Sequence, residues 1–115
     1  MFMVNRSILI IRPKQPYLDW VNRIEETGRK WEMADVSSEP SVYLLPEIDD
    51  ELAARRFLKK NFKPIFEREL EGWNRDPGNW VKPMTYKLFQ DWFSIEWGSE
   101  IIDLGKGEIE REEWD

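Results

Sequence analysis

The sequence predicts a small α+β domain, in which a mixed sheet of three or four strands is covered by helices mainly on one face. Two patterns lead to this prediction. Short apolar runs that end at prolines indicate strands, and longer segments with apolar residues at helical spacing indicate amphipathic helices. The predicted order is β-α-β-α-α-α-β, with one or two strands at the end.

The length of the chain indicates one domain. A chain of 115 residues has the usual size of a domain, and such a domain buries roughly two thirds of its unfolded surface. The apolar pattern continues to residue 105, whereas the segment 106–115 is acidic and poor in apolar residues. We therefore expect a single globular domain over residues 1–105, followed by a frayed acidic tail over residues 106–115.

The composition argues against several classes of function. The net charge of −6 disfavours binding to phosphate backbones, so we expect no nucleic-acid partner. Because cysteine and histidine are absent, disulfides, thiolate sites and the usual serine triads are excluded. The apolar run at residues 8–11 is too short for a signal peptide or a membrane span. We expect a cytoplasmic protein with no membrane contact.

The first strand and helix follow each other directly. Residues 7–12 contain a continuous apolar run that ends at Pro13, which predicts a strand buried on both faces or nearly so. Residues 15–27 predict a helix that Gly28 ends. Its buried face contains Tyr17, Leu18, Val21 and Ile24.

The second strand is predicted after a polar loop. Residues 28–40 show no apolar period and indicate a loop, and Ser41–Leu45 predicts a short strand that Pro46 ends. Because a helix joins the two strands, we expect them to run parallel, with a right-handed crossover.

The second helix has strong start signals and an internal proline. Asp49 is the predicted N-cap, and the acidic residues that follow it favour the positive end of the helix dipole. Pro64 lacks a backbone donor, so the helix is expected to break or kink at residues 61–63 and to restart at Pro64.

The last third of the chain predicts a turn, a short helix and a final β segment. Asp76, Pro77 and Gly78 favour a tight turn, and Thr85 is a suitable cap for a helix that starts at Tyr86. Residues 94–104 then read as β structure. Two interpretations stay open here: a hairpin that turns at residues 98 and 99, or a single strand with a bulge at residue 98.

One acidic corner is a candidate site for chemistry. Glu47, Asp49 and Asp50 follow the second strand, and oxygen-rich corners hold magnesium or calcium or supply an acid and a base. A structural interpretation is favoured, because the same residues cap the second helix and complement its dipole. The sequence therefore predicts no cofactor, no metal and no catalytic residue.

Seven tryptophans in 115 residues separate into two groups. Trp20, Trp73, Trp92 and Trp97 lie on predicted apolar faces and indicate core positions. Trp31, Trp80 and Trp114 lie in loops or in the tail. Because tryptophan is enriched in interface hot spots, the candidate interaction surface is centred on Trp80, with Arg75 and Tyr86 nearby.

Several segments carry a resemblance that covers nearly the whole chain up to Leu104. They are YLDWVNRI, VYLLPEIDD, IFERELEGW, DPGNW and FQDWF. In this combination the chain resembles a group of small bacterial hypothetical proteins of unknown function. The resemblance implies a free-standing bacterial domain and supplies no activity, cofactor or site residue.

The sequence therefore favours a non-enzymatic cytoplasmic protein that works through contacts with another protein. That partner is unknown, and a homodimer is one form it can take. The alternative is a domain that binds a small molecule or a carbohydrate, or an enzyme that uses carboxylates alone beside an aromatic cleft.

Overall fold

A computed structural model describes residues 1–114 and contains four α-helices and five strands, which confirms the predicted α+β class. The strands are β1 (Phe2–Met3), β2 (Ser7–Pro13), β3 (Ser41–Leu45), β4 (Phe93–Gly98) and β5 (Ile102–Asp103). The helices are α1 (Gln15–Ile24), α2 (Met33–Val36), α3 (Glu51–Glu71) and α4 (Tyr86–Trp92), with a 3-10 turn at Pro77–Asn79.

The main sheet has the strand order β3-β2-β4, and both of its strand pairs are antiparallel. The predicted parallel pairing of β2 with β3, and with it the mixed sheet, is therefore wrong. Ile11 lies opposite Ser41, so β3 begins at the end of the sheet where β2 stops. After α1, residues 25–40 return the chain to that same end of the sheet. β2 and β3 are therefore not joined by a crossover to the opposite end.

The helices cover one face of this sheet, as predicted. Along β2 the buried residues alternate with partly buried ones, so the strand is fully buried on one face and partly buried on the other, against the predicted burial on both faces or nearly so. Leu9 and Ile11 face the helices, whereas Ile8 and Ile10 face outward. The core beneath the sheet combines three strands with α1, α3 and α4; its members are Leu9, Ile11, Tyr17, Trp20, Val21, Leu45, Leu58, Phe62, Ile65, Phe66, Leu70, Phe89, Trp92 and Phe93.

Helix α3 runs without interruption from Glu51 to Glu71, so the predicted break at residues 61–63 is wrong. Pro64 lies on its exposed side, where water can hydrogen bond to the carbonyl that the proline leaves unpaired. Phe62, Ile65 and Phe66 are buried on both sides of the proline, and this packing favours a continuous helix. Within residues 1–114, no helix combines the length and the apolar character needed to cross a membrane.

The final β segment takes neither of the two predicted forms. β4 belongs to the main sheet, whereas β5 pairs with β1 in a separate two-stranded ribbon, so there is no hairpin at residues 98 and 99. Both strands run antiparallel to the amino-terminal segment. Five residue steps separate Met3 from Ile8, whereas four separate their partners Ile102 and Gly98. The extra residue therefore lies in the amino-terminal segment and not at Gly98.

Ser7 joins the start of β2 to the loop before α3. Its side chain is fully buried, donates a hydrogen bond to the carbonyl of Ile48 at 2.9 Å and accepts one from the Ile48 N–H at 2.9 Å. One hydroxyl thus satisfies two backbone groups of a loop that has no strand partner at this point.

We expect Ser7→Ala to lower the free energy of unfolding by about 1–3 kcal/mol, because it leaves the two backbone groups of Ile48 without partners. The measurement is urea unfolding followed by tryptophan fluorescence. Ser94→Ala on the exposed side of β4 is the control, with an expected change below about 0.5 kcal/mol. Equal effects of the two variants would contradict the structural role of Ser7.

Candidate interaction surface

The loop that carries Trp80 is held by hydrogen bonds within itself. The indole N–H of Trp80 donates to the carbonyl of Asn74 at 2.7 Å, and Asp76 accepts from the Gly78 N–H at 2.9 Å, which confirms the predicted turn. The indole N–H of Trp20 donates to the carbonyl of Asn79 at 2.9 Å and ties the loop to α1. Trp80 is partly buried and packs against the core.

Tyr86 and Arg75 differ from each other in their surroundings. Tyr86 is partly buried, with its ring 5.6 Å from that of Phe62 and stacked on Phe89 at 6.5 Å. Arg75 is exposed. Two of the three residues of the predicted interaction surface therefore contribute to packing between the loop, α3 and α4.

The acidic corner at the start of α3 serves the helix. Asp50, and not Asp49, is the N-cap: its carboxylate accepts from the Ala53 N–H at 2.8 Å. Asp49 and Glu47 are exposed. In the part of the chain that the structure describes, no group of three or more acidic side chains is arranged to hold a metal ion.

The tryptophans divide differently from the predicted groups. Trp20 and Trp92 are buried, whereas Trp73 and Trp97 are only partly buried at the border of the core. Trp31, predicted in a loop, also packs against the core, and its ring meets that of Trp73 edge to face at 4.7 Å. The exposed member of the set is Trp114 in the tail.

Glu25 organises the turn after α1. Its carboxylate accepts hydrogen bonds from the backbone N–H of Thr27, the indole N–H of Trp31 and the hydroxyl of Thr27. These donors, the Thr27 N–H first, lower the pKa of Glu25 to about 2. The guanidinium of Arg29 lies over the same Trp31 ring, 3.6 Å from its centre, in a cation–π contact. The helix ends at Ile24 because Glu25 adopts an extended backbone there.

A second carboxylate, Glu69 of α3, lies beneath β3. It accepts from the hydroxyls of Tyr43 and Ser41 and pairs with Arg68 at 3.4 Å. Burial, and then the negative charge of Glu69, raises the pKa of Tyr17, whose hydroxyl donates to the Glu69 carbonyl at 2.8 Å. Burial and the hydrogen bond to Glu69 also raise the pKa of Tyr43. Both tyrosines therefore stay protonated at neutral pH and act as donors, not as bases.

A small cleft lies between the first turns of α3 and the inner side of β4. Leu9, Leu58 and Trp97 line it, and an ion pair between Arg55 and Glu51 at 3.1 Å lies at its border. The indole N–H of Trp97 is buried without a hydrogen-bond partner within residues 1–114. The volume of the cleft, about 10 Å³, matches one water molecule.

The largest exposed apolar feature lies elsewhere. Of the ten large hydrophobic residues that are exposed in residues 1–114, nine belong to the amino terminus, β5 and the residue after it, the outer side of β3 and the tail. We call this set the ribbon surface; its members are Met1, Phe2, Met3, Val42, Leu44, Ile102, Leu104, Ile109 and Trp114. Leu52 at the start of α3 is the one outside it.

Two local contacts place the tail beside β3. Val4, Leu44 and Ile109 line one depression, which joins the amino-terminal segment, β3 and the tail. At the other end of β3, the guanidinium of Arg68 lies 4.6 Å from the ring centre of Trp114. The tail therefore follows the open edge of β3, and residues 106–114 are exposed along it. Asp115, the last residue of the predicted tail, lies outside the described residues.

Two apolar runs in the sequence indicate this surface, but the predicted interaction surface around Trp80 did not take them into account. In Ser41–Leu45 every residue after the serine is apolar, so neither face of β3 is polar. The amino terminus likewise begins with four apolar residues. Such runs predict a strand that is covered on both faces, and in this structure the outer face has no cover.

Comparisons with known proteins add no relative to this picture. No family model, curated protein or solved structure matches the chain. The functional argument therefore depends on the contacts, burial and charges described above.

We expect Trp80→Ala to lower the free energy of unfolding by about 2 kcal/mol or more, because it removes packing against the core and the hydrogen bond to Asn74. Thermal unfolding followed by circular dichroism measures this change. Arg75→Ala, in the same loop and exposed, is the matched control and should leave the melting temperature unchanged. An unchanged melting temperature for Trp80→Ala would mean that the ring acts at the surface alone.

We expect the Glu25 carboxyl to titrate with a pKa of about 2, against an ordinary value of 4.5, in a carbon-13 NMR titration. Because the pKa is lowered in the folded state, the stabilisation by the carboxylate is present at neutral pH and is lost as the pH falls from 4.5 toward 2. Thr27→Ala removes the hydroxyl donor and Trp31→Phe the indole donor, so each should raise this pKa. A larger change in Arg29→Gln would contradict the assignment to hydrogen bonds.

Proposed function

We infer that this chain is a small cytoplasmic, non-enzymatic protein that binds another protein through the ribbon surface. The observation that carries the proposal is the set of exposed apolar residues on the ribbon, in the tail and on the outer face of β3. Phe2 and Met3 are each 67% exposed, and Val42 and Leu44 are each 54% exposed on the outer face of β3. Large exposed apolar patches mark interaction sites on proteins.

The ribbon itself supports a contact function. β1 and β5 contain two residues each and pair only with one another. The ribbon extends the β2–β4 pair beyond the main sheet. A two-stranded ribbon adds little stability of its own in water, and it gains stability when a further layer covers its apolar side chains. A protein partner would supply that layer.

The outer face of the main sheet provides the second half of the surface. Ile8 lies opposite Leu44 and Ile10 opposite Val42, so four apolar side chains form two adjacent cross-strand pairs. No helix lies over them, since α1, α3 and α4 all pack in the core on the inner side. Antiparallel sheets that stay solvated on one face usually carry polar residues there; this face is polar on β4, at Ser94 and Glu96, but apolar on β2 and β3 at these four positions.

The other predicted functions draw less support from the described residues. For a small molecule, the cleft beside Trp97 has a volume of about 10 Å³ and admits little more than water, while the depression of about 440 Å³ beside Glu25 and Arg29 is open and lined by polar side chains. Chemistry by carboxylates at Glu47, Asp49 and Asp50 has to compete with the capping role of Asp50. The contact surface at Trp80, Arg75 and Tyr86 stays a prediction, and the Trp80→Ala variant tests it.

The proposed function is tested by capture of partner proteins from native cytosol on the immobilised, full-length chain. In Val42→Glu/Leu44→Glu, charges replace the two exposed side chains of β3, and we expect at least a tenfold loss of captured partner. Leu52→Glu is the control, because Leu52 is 60% exposed but lies on α3 outside the ribbon surface.

Both variants are first compared with the wild type by circular dichroism and melting temperature, so that loss of fold is recognised. Equal capture by the wild type and by folded Val42→Glu/Leu44→Glu would overturn the proposal. So would an equal loss of capture in Leu52→Glu.

A further inference from the structure

We propose that the partner at the ribbon surface is a second copy of this chain, packed as a two-fold symmetric dimer through the outer face of the main sheet. This inference rests on the proposed function, because it names the occupant of the same surface. In the dimer, the outer face of one sheet lies on that of the other, and each ribbon and tail borders the interface.

The surface area of the chain has the size that such a dimer needs. The accessible surface is 8519 Å², whereas a compact monomer of 13.9 kDa has about 6,700 Å². The excess of about 1,800 Å² per chain is in the range that one subunit buries in an obligate homodimer. The radius of gyration agrees: it is 15.9 Å, against about 13 Å for a compact domain of this length.

The ribbon and the tail lengthen the molecule. The longest dimension of the molecule is 47 Å and the other two are 30 and 27 Å. The ribbon continues beyond the main sheet where β2 begins and β4 ends, and the exposed tail lies beside it. The segments that enlarge the surface are therefore the segments that carry the exposed apolar residues.

The ribbon surface is bordered by charges of both signs. Arg6 and Arg12 flank the apolar pairs at the two ends of β2, and Arg68 lies beside the start of β3. Arg12 pairs with Glu96 at 3.7 Å and Arg68 with Glu69 at 3.4 Å, and both arginine side chains stay about half exposed. The tail brings acidic residues to the same side: Glu108, Glu110, Glu112 and Glu113. Because a two-fold axis places a patch against its own copy, a patch with both signs of charge can pair arginines of one subunit with acids of the other.

The position of the tail determines which part of β3 a partner can reach. Ile109 lies beside Leu44 at one end of β3, and Trp114 lies beside Arg68 at the other end. Because the tail follows the open edge, the face of β3 is more accessible than its edge. Two antiparallel sheets pack face to face at about 10 Å, with their apolar side chains interleaved, and Val42 and Leu44 would fill that layer together with Ile8 and Ile10.

The first test is the mass of the purified, full-length chain in solution, measured by light scattering and sedimentation equilibrium from 5 to 200 µM, on the order of common dimer affinities. We expect twice 13.9 kDa for the wild type and for Leu52→Glu, and 13.9 kDa for Val42→Glu/Leu44→Glu. A wild type that stays at 13.9 kDa over the whole range overturns the inference. So does a folded Val42→Glu/Leu44→Glu variant that keeps the double mass.

The second test uses the absence of cysteine from the chain. Val42→Cys is a small change that preserves the fold, and its thiol would face its copy across the interface. We expect Val42→Cys to form the disulfide-linked dimer at least tenfold faster than Leu52→Cys under mild oxidation, on non-reducing gels. Equal rates for the two variants overturn the face-to-face arrangement.

The results separate this inference from the proposed function. If the wild type is monomeric but captures a different protein through Val42 and Leu44, the second copy is excluded and the contact function stands. If the wild type is monomeric and capture does not depend on these residues, both proposals fail.

Discussion

The packing of one phenylalanine ring connects most of the molecule. Phe66 of α3 is fully buried, and its ring centre lies 5.6 Å from that of Phe89, 5.7 Å from Trp92 and 5.5 Å from Phe93. These contacts join the long helix to α4 and to the first residue of β4. Aromatic pairs at such distances add to the stabilisation from buried area, and they explain why α3 stays continuous across Pro64.

The aromatic core also explains why the buried polar groups around it form hydrogen bonds within the chain. A ring-filled layer leaves few places for water, so buried donors must find acceptors within the chain. Tyr17 donates to the backbone of Glu69, and Trp20 donates to the backbone of Asn79. Each of these bonds ties a loop or helix end to α1. The indole N–H of Trp97 is the exception among the described side chains, and Trp97 also lines the water-sized cleft at the border of the core.

Three helices on one side of a three-stranded sheet leave the other side uncovered. In this chain that side is apolar at Ile8, Ile10, Val42 and Leu44, and the ribbon of β1 and β5 continues it beyond the sheet. The proposed contact function and the proposed dimer follow from this one imbalance, because β2 and β3 carry apolar residues on both faces but helices cover only one. The Trp80 loop has the opposite character, since its polar groups are satisfied internally and its ring packs on the core.

The sequence by itself determined the local elements. The bounds of β3, the cap at Thr85, the turn at Asp76 and the α+β class all follow from periodicity and from side chains that bond to nearby backbone. Only the tertiary structure decided the antiparallel direction of β3, the pairing of β5 with β1 and the position of the exposed apolar surface. These features depend on contacts between residues far apart in the chain, such as Ile11 with Ser41 and Met3 with Ile102. An apolar run shows that a strand needs cover on both faces, but which face receives it depends on where the helices pack.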